Sequence, residues 1–279
     1  MALTWFITGI SSGLGRIMAE TALKRGDRVA GTVRNLDAVS TLKEQYGEAL
    51  WIERLDISET ATISRVVDAA FAHFGQIDVV VNNAGYGLFG ALEGLSDEQI
   101  ENQLDTNLLG PIQVTKAAIP HLREQRGGRL IAISTYGGQA VHAGASLYHA
   151  SKWGLEGFIE SIALELAPFG IGATIIEPGG ARTDFRAAAG RNLGQKLDAY
   201  EGTPAGMVHT VLKDASRQPN GDPEKMVSAI IASVEVTPAP RRLVLGSDAY
   251  AMVTKAISER LAEVQGQSET APLTDVSGG

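Results

Sequence analysis

The sequence of 279 residues contains no cysteine. Disulfide scaffolds, thiolate metal centres and cysteine nucleophiles are therefore excluded. Positive charge is also short, since 24 Lys and Arg stand against 32 Asp and Glu, a formal net charge of -8 spread along the chain rather than gathered in blocks. Such a chain has no basic footprint for phosphate backbones or anionic lipid, so neither nucleic acid nor membrane is an expected partner. No apolar run approaches the ~18 residues of a spanning helix. The N-terminal MALTWFITG enters its apolar part at Leu3 with no basic segment before it and no small-residue cleavage pattern after it, and the expected location is the cytoplasm. The five histidines, His73, His121, His142, His149 and His209, show no metal-ligand spacing, and no metal is expected.

Short β-branched runs alternate with longer helical patterns. Leu3–Thr8, Arg28–Val33, Leu50–Leu55, Val79–Asn82, Arg129–Ser134, Gly172–Glu177 and Arg242–Leu245 read as strands. Segments such as Ile63-Val66-Val67-Ala70-Phe71-Phe74 line one helical face. Strand and helix in steady alternation predict a parallel sheet of about seven strands with helices on both faces, a single doubly wound α/β domain over residues 1–264. The stretch 184–223 breaks the rhythm with Gly, Pro and Asn, and an insertion of that length reads as a lid or binding loop. Residues 265–279 lack aromatics and periodicity and are expected to form a flexible tail.

The first strand runs straight into Thr8-Gly9-Ile10-Ser11-Ser12-Gly13-Leu14-Gly15, and a helical pattern begins at about Leu14. Glycines at a strand-to-helix turn let backbone approach a pyrophosphate, and the helix N-terminus supplies free N–H groups and a positive dipole end. Taken alone, the same turn is compatible with having no ligand. Further along, Tyr148 and Lys152 stand four residues apart at the start of a helix, after the fifth strand. That spacing puts a phenol and an ammonium on one helical face, at the end of the sheet where parallel strands place ligands. By itself it would equally suit an exposed helix pair.

The glycine turn, Asn82-Asn83-Ala84-Gly85 after the fourth strand and Tyr148-His149-Ala150-Ser151-Lys152 occur in the order found in the short-chain dehydrogenases/reductases, whose shorter, single-domain branch the chain resembles over about residues 3–250. The resemblance implies a Rossmann-type fold in which Gly9, Ser11, Ser12, Gly13, Leu14 and Gly15 cradle a dinucleotide and Asn83, Ala84 and Gly85 flank it. It implies that Tyr148 exchanges a proton with the substrate oxygen and that Lys152 lowers the phenol's pKa and binds the nicotinamide ribose. A phenol near pKa ~10 is otherwise a poor acid–base catalyst at neutral pH. Thr135, 13 positions before Tyr148, takes the family's usual serine position as the donor that polarises the carbonyl, with Ser134 as the other candidate. Asn107 matches the family's helix asparagine, whose backbone holds a water in a relay to the Lys. Pro178, Gly179 and Thr183 match the Pro-Gly-x-x-x-Thr that contacts the nicotinamide amide and phosphates.

The second strand ends in Val33-Arg34, where NAD-binding folds carry a carboxylate for the adenine ribose. An apolar residue followed by a guanidinium favours the 2′-phosphate of NADP(H), with Ser11 and Ser12 leaving it room. Arg34 is also readable as a solvated loop cation, and nearby Asp37 keeps NAD(H) open. Asp56 resembles the family's Asp that bonds the adenine amino group, followed by Ile57, yet it is equally placed as a neighbour of the helix expected near Ser58. The expected activity is NADPH-dependent reduction of a ketone, reversible as secondary-alcohol oxidation. An NAD-linked oxidative, hydroxysteroid-like dehydrogenase and a non-catalytic dinucleotide sensor are the alternatives. Tyr86, Phe89, Tyr136, His142, Ala143, Phe185 and Ala187-Ala188-Ala189 are candidate pocket linings for a partly aromatic, apolar site. By analogy with the family, a homotetramer or homodimer is expected.

Overall fold

A computed structural model describes residues 2–214, 216 and 218–276. Among them, seven strands form one parallel sheet: β1 Thr4–Thr8, β2 Arg28–Val33, β3 Leu50–Arg54, β4 Val79–Asn82, β5 Gly128–Ile133, β6 Ile171–Pro178 and β7 Arg242–Leu245, in the order β3-β2-β1-β4-β5-β6-β7. Each lies within a residue or two of the span expected from sequence. The helices that connect them are α1 Gly13–Lys24, α2 Ser40–Tyr46, α3 Thr60–Phe74, α4 Asp97–Leu104, α5 Gly110–Glu124, α6 Ser146–Leu166, α7 Phe185–Arg191, α8 Val208–Val211, α9 Pro223–Val234 and α10 Ser247–Gln265.

Side chains alternate along each strand, and both faces are apolar because both are covered. Phe6, Ala30, Val80 and Leu130 point into one core layer with Ile63, Val67 and Phe71 of α3, Val114 and Leu122 of α5 and Leu155 of α6. Their neighbours Trp5, Ile7, Val29, Val81 and Ile131 point the other way, onto Met18 and Ala22 of α1 and Val227 and Ile230 of α9. β1 is flanked by β2 on one side and β4 on the other. The crossovers diverge at this pair and leave a cleft beyond the strands' C-terminal ends.

Three local features differ from the expected pattern. The helix after β3 begins at Thr60 rather than near Ser58, because Asp56 Oδ1 accepts from Ser58 N at 3.1 Å and Ser58 Oγ at 2.8 Å and holds residues 56–58 in a turn. Asn107 lies not in α-helix but in a π-helical turn, Asp105–Leu109, between α4 and α5. The segment 184–223, of which residues 215 and 217 lie outside the described residues, is stitched down at two places. Ala181 pairs with Gly221, joining its two ends, and Leu193 pairs with Phe89. Gly194 N donates to Phe89 O at 2.8 Å and Gln195 N to Gly94 O at 2.7 Å. Of the expected tail, 266–276 carries a single 3-10 turn, Ala271–Thr274, with every described residue exposed, and 277–279 lie outside the described residues. No described helix is long and apolar enough to cross a membrane.

Candidate active site

The cleft is built from the joint between β1 and β4. Thr8 Oγ1 donates to Val81 O at 3.3 Å and accepts from Asn83 N and Ala84 N, each at 3.0 Å. The Asn83 amide returns the contact, donating to Thr8 O at 2.8 Å and Gly9 O at 3.0 Å. A side chain on Gly15 would fall on the Asn83 amide and on Gly9 O. Gly9 and Gly13 hold φ of 74° and 59°, which only glycine adopts freely. α1 begins with Ser12 in extended conformation, its hydroxyl making no cap bond, and no acid in the first turn. The helix therefore presents uncapped N–H groups and an unopposed dipole to the cleft, beside exposed Ser11. That is the cradle a pyrophosphate requires, and the residues present fit a dinucleotide.

Arg34 stands exposed at the end of β2, next to Val33, which is buried, so no carboxylate ends this strand. At the end of β3, Asp56 is half-buried in its turn and Ile57 packs beneath Gly110. Across the cleft, Gly179 N donates to Leu245 O and Gly180 N to Asp248 Oδ2, each at 2.8 Å, which locks the turn after Pro178. Thr183 Oγ1 accepts from Phe185 N at 3.4 Å at the start of α7.

α6 carries the centre of the site. Tyr148, Lys152, Leu155, Glu156 and Ile159 recur at helical spacing on its buried face. Tyr148 is 8% exposed, its ring 5.5 Å from that of Phe89 and 5.9 Å from that of Phe185. Burial pushes the phenol's pKa well above its ordinary value, opposed by a hydrogen bond with Thr135 and reinforced by nearby Tyr136. The phenol is therefore protonated at neutral pH. Lys152 Nζ donates to Ile133 O at 2.8 Å. Burial pulls its pKa down to about 8, with the Glu156 carboxylate acting in the opposite sense.

Asn107 joins this helix to the cradle. Its Oδ1 accepts from Tyr86 N at 3.1 Å, and its Nδ2 donates to Tyr86 O at 2.8 Å and Ser151 Oγ at 3.3 Å. A side chain on Gly85 would begin 3.1 Å from Asn107 Oδ1 and 3.6 Å from Lys152 Nζ, so these three residues meet at one point. The π-helical turn shifts the backbone register there, as such turns do at functional sites. Thr135 Oγ1 lies 3.3 Å from Pro178 O, to which it donates, and accepts from Gly137 N at 3.4 Å. The hydroxyl of Ser134 is instead committed to the buried Glu156 carboxylate. Thr135, and not Ser134, faces Tyr148.

Phe89, Ala145, Tyr148 and Ala189 form a small apolar cluster, with Leu193, Val208 and Leu212 packed against it. Phe89 and Ala189 are among the pocket linings expected from sequence, whereas Val208 and Leu212 are not. Met207 is 51% exposed and its neighbour Val208 takes the inward place. Burial raises the pKa of the Tyr86 phenol, with Arg34 acting in the opposite sense and Asp105 reinforcing the rise. His142 stacks edge-on against His149 at 4.5 Å, and burial, then His142, lowers the His149 pKa to about 4, leaving that ring neutral. Sequence reasoning also missed Gln103, which is fully buried and braces the loop by accepting from Leu88 N at 2.8 Å and donating to Tyr86 O at 3.2 Å. A glutamine four residues before Asn107 was the available signal.

The profile of the short chain dehydrogenase family matches residues 4–194, which holds both the cradle and the Tyr148–Lys152 pair. The chain belongs to that family. As a short-chain dehydrogenase it is 34% identical over 257 residues to "Oxidoreductase BOA17" of Botryotinia fuckeliana, covering 92% of this chain and 93% of that protein. A solved short-chain dehydrogenase from Streptomyces avermitilis superposes with a TM-score of 0.89 at 34% identity, covering 98% of both chains. A variant of actinorhodin polyketide ketoreductase, solved with NADPH, superposes with a TM-score of 0.72 at 28% identity, covering 87% of this chain and 95% of that one. This short-chain dehydrogenase is an NAD(P)-dependent oxidoreductase of Rossmann-type fold.

Replacing Gly15 by Ala adds a Cβ where the Asn83 amide and Gly9 O already sit. The expected result is a loss of dinucleotide affinity of about tenfold or more, since one misplaced charged hydrogen bond is worth roughly 1.5–3 kcal/mol. Fluorescence titration with NADPH checks it. Circular dichroism of the same sample separates loss of the cradle from loss of the fold.

Proposed function

We propose that the protein is an NADPH-dependent carbonyl reductase acting on an apolar ketone, with Tyr148 as the general acid. The observation that carries this reading is a protonated, buried phenol beside a second hydroxyl, Thr135, with buried Lys152 one turn further along the same inward face of α6. Bound NADPH supplies the hydride; the protein supplies orientation and the proton. The Thr135 hydroxyl turns from Pro178 O to donate to the substrate oxygen, so that two donors meet the charge developing there. Tyr148 Oη gives up its proton to that oxygen, and the phenolate left behind is favoured by the nearby ammonium of Lys152. The same acid–base pair serves either direction, and what favours NADPH-linked reduction over the NAD-linked oxidative alternative is the end of β2, where Arg34 stands exposed and no carboxylate ends the strand. A paired acid and cation likewise favours turnover over dinucleotide sensing.

Gly9 to Gly15, Gly85, Lys152 and the Pro178-Gly179 turn would hold the dinucleotide, with Arg34 on the 2′-phosphate. Support for NADP(H) comes from the strand end, where the guanidinium stands exposed and no carboxylate repels. The NADPH-bound ketoreductase neighbour points the same way. The aromatic and aliphatic walls of the Tyr148 cluster favour a ketone with an apolar, flat body. Residues 184–223 close over it. The two backbone stitches at 193–195 and 221 would stay in place, and the parts that move are α7 with Phe185 and the stretch around α8.

Tyr148→Phe deletes one oxygen and keeps the ring. Ketone reduction, followed by NADPH absorbance, should fall about 10²–10⁴-fold with NADPH affinity unchanged. In the unmodified enzyme the reductive rate should decline as pH rises through about 8, because the Lys152 ammonium is present below that value and lost above it. Arg34→Asp should shift the ratio of KM values for NADPH and NADH toward NADH by about one to two decades, through lost attraction and added repulsion. A parent enzyme that already prefers NADH would overturn the cofactor assignment. In hydrogen exchange, Gly194, Gln195 and Gly221 should be protected in the enzyme alone, whereas amides of 200–212 should gain protection only with NADPH and a ketone analogue together. Equal protection in both states would rule out a moving lid.

A further inference from the structure

Behind the site lies a cluster of buried charges with no role in the mechanism above. Glu156 follows Lys152 by four residues on the inward face of α6 and is 2% exposed. Its Oε1 accepts from Ser134 Oγ, and its Oε2 accepts from Gln139 Nε2 and from Arg242 Nη1 of β7. Arg242 also donates to Glu177 of β6 through Nη1, and its Nη2 lies 3.0 Å from Glu160 Oε1 on the solvent side. Glu177 is fully buried, and burial, then Glu156, pushes its carboxyl up to about 7. The chain after β5 closes on the carboxylate so tightly that a side chain on Gly138 would fall on Glu156 Oε1.

Burying several ionised groups is costly, and apolar residues would tie the same elements together with a smaller desolvation penalty. What apolar residues could not supply is direction and charge. Two of the partners of Glu156 lead to the site, since Ser134 is bonded in sequence to Thr135 and Gln139 follows the turn whose Gly137 donates to the Thr135 hydroxyl. Lys152 stands one turn earlier on the same helix, while Arg242 ties the carboxylate to β7.

We propose that Glu156 is a positioning residue for carbonyl reduction, holding Thr135 opposite Tyr148 through Ser134 and keeping Lys152 an ammonium by its charge. This rests on the reductase reading above. The charged groups facing Glu156 are Lys152 and Glu160 from α6, Glu177 from β6 and Arg242 from β7, while β5 and the turn after it present neutral Ser134 and Gln139. Arg260 of α10, which donates to Gln139 O, is the next cation outward. Of these, Glu156 is the carboxylate that raises the Lys152 pKa.

Two variants test the two duties, assayed with NADPH and a ketone that the parent enzyme reduces. Glu156→Gln removes the charge and sets an amide against the donors of Gln139 or Arg242. It should lower kcat about tenfold or more, leave KM for NADPH within about twofold, and move the alkaline limb of the pH profile down by about one unit. Ser134→Ala keeps the charge and removes only the hydroxyl link. It should lower kcat about threefold to tenfold without moving the limb. A folded Glu156→Gln enzyme with the parent's kcat and limb would overturn the proposal. Where that variant does not fold, Ser134→Ala decides, and the parent's kcat in it overturns the proposal. A parent enzyme that reduces no ketone with NADPH overturns the reductase reading and this inference together, whereas an active parent with indifferent variants overturns the inference alone.

Discussion

The Thr8 hydroxyl is the joint on which the site depends. It bridges β1 and β4 at the point where the sheet's connections diverge, giving one bond to Val81 O and taking two from the backbone after β4. Asn83 is thereby aimed back at Thr8 and Gly9, and the same amide forbids a side chain at Gly15. Two glycine-rich turns far apart in sequence become one rigid floor. Because buried backbone groups must be paired, the network leaves little freedom for either turn to relax alone.

From that floor the constraint passes to the chemistry through a chain of contacts. Gly85 abuts Asn107 and Lys152, Asn107 holds both backbone groups of Tyr86, and Ser151 ties Asn107 to α6. The Tyr148 phenol is thus placed by the strand joint as well as by its own helix. Polar residues on buried faces, including Gln103, Asn107 and Glu156, carry this transmission. Each costs desolvation and each is repaid in direction, which apolar packing does not provide.

The apolar cluster around Tyr148 is separate from the two layers that cover the sheet. In the proposed reading, packing that stabilises the fold and packing that receives a substrate are different sets of side chains. Two short backbone pairings fasten Leu193 to Phe89 and Gly221 to Ala181.

All seven strands, the doubly wound order and the glycine turn were legible in the sequence, because β-branched runs, helical periodicity and glycines at a strand end act over a few residues. Tyr148 and Lys152 were legible through their place in the short-chain dehydrogenase resemblance, since a spacing of one helical turn by itself equally suits an exposed pair. The choice between Ser134 and Thr135 was not, since adjacent strand residues point to opposite sides and only the position of Glu156, 22 residues further on, claims one of the two hydroxyls. The inward place of Val208, the π-helical turn at Asn107 and the Glu156–Arg242–Glu177 cluster were likewise decided by tertiary structure. Local pattern tells which residues share a face of one element. It does not tell what a buried polar group meets, because that partner arrives from a strand or helix whose distance in sequence carries no periodicity to read.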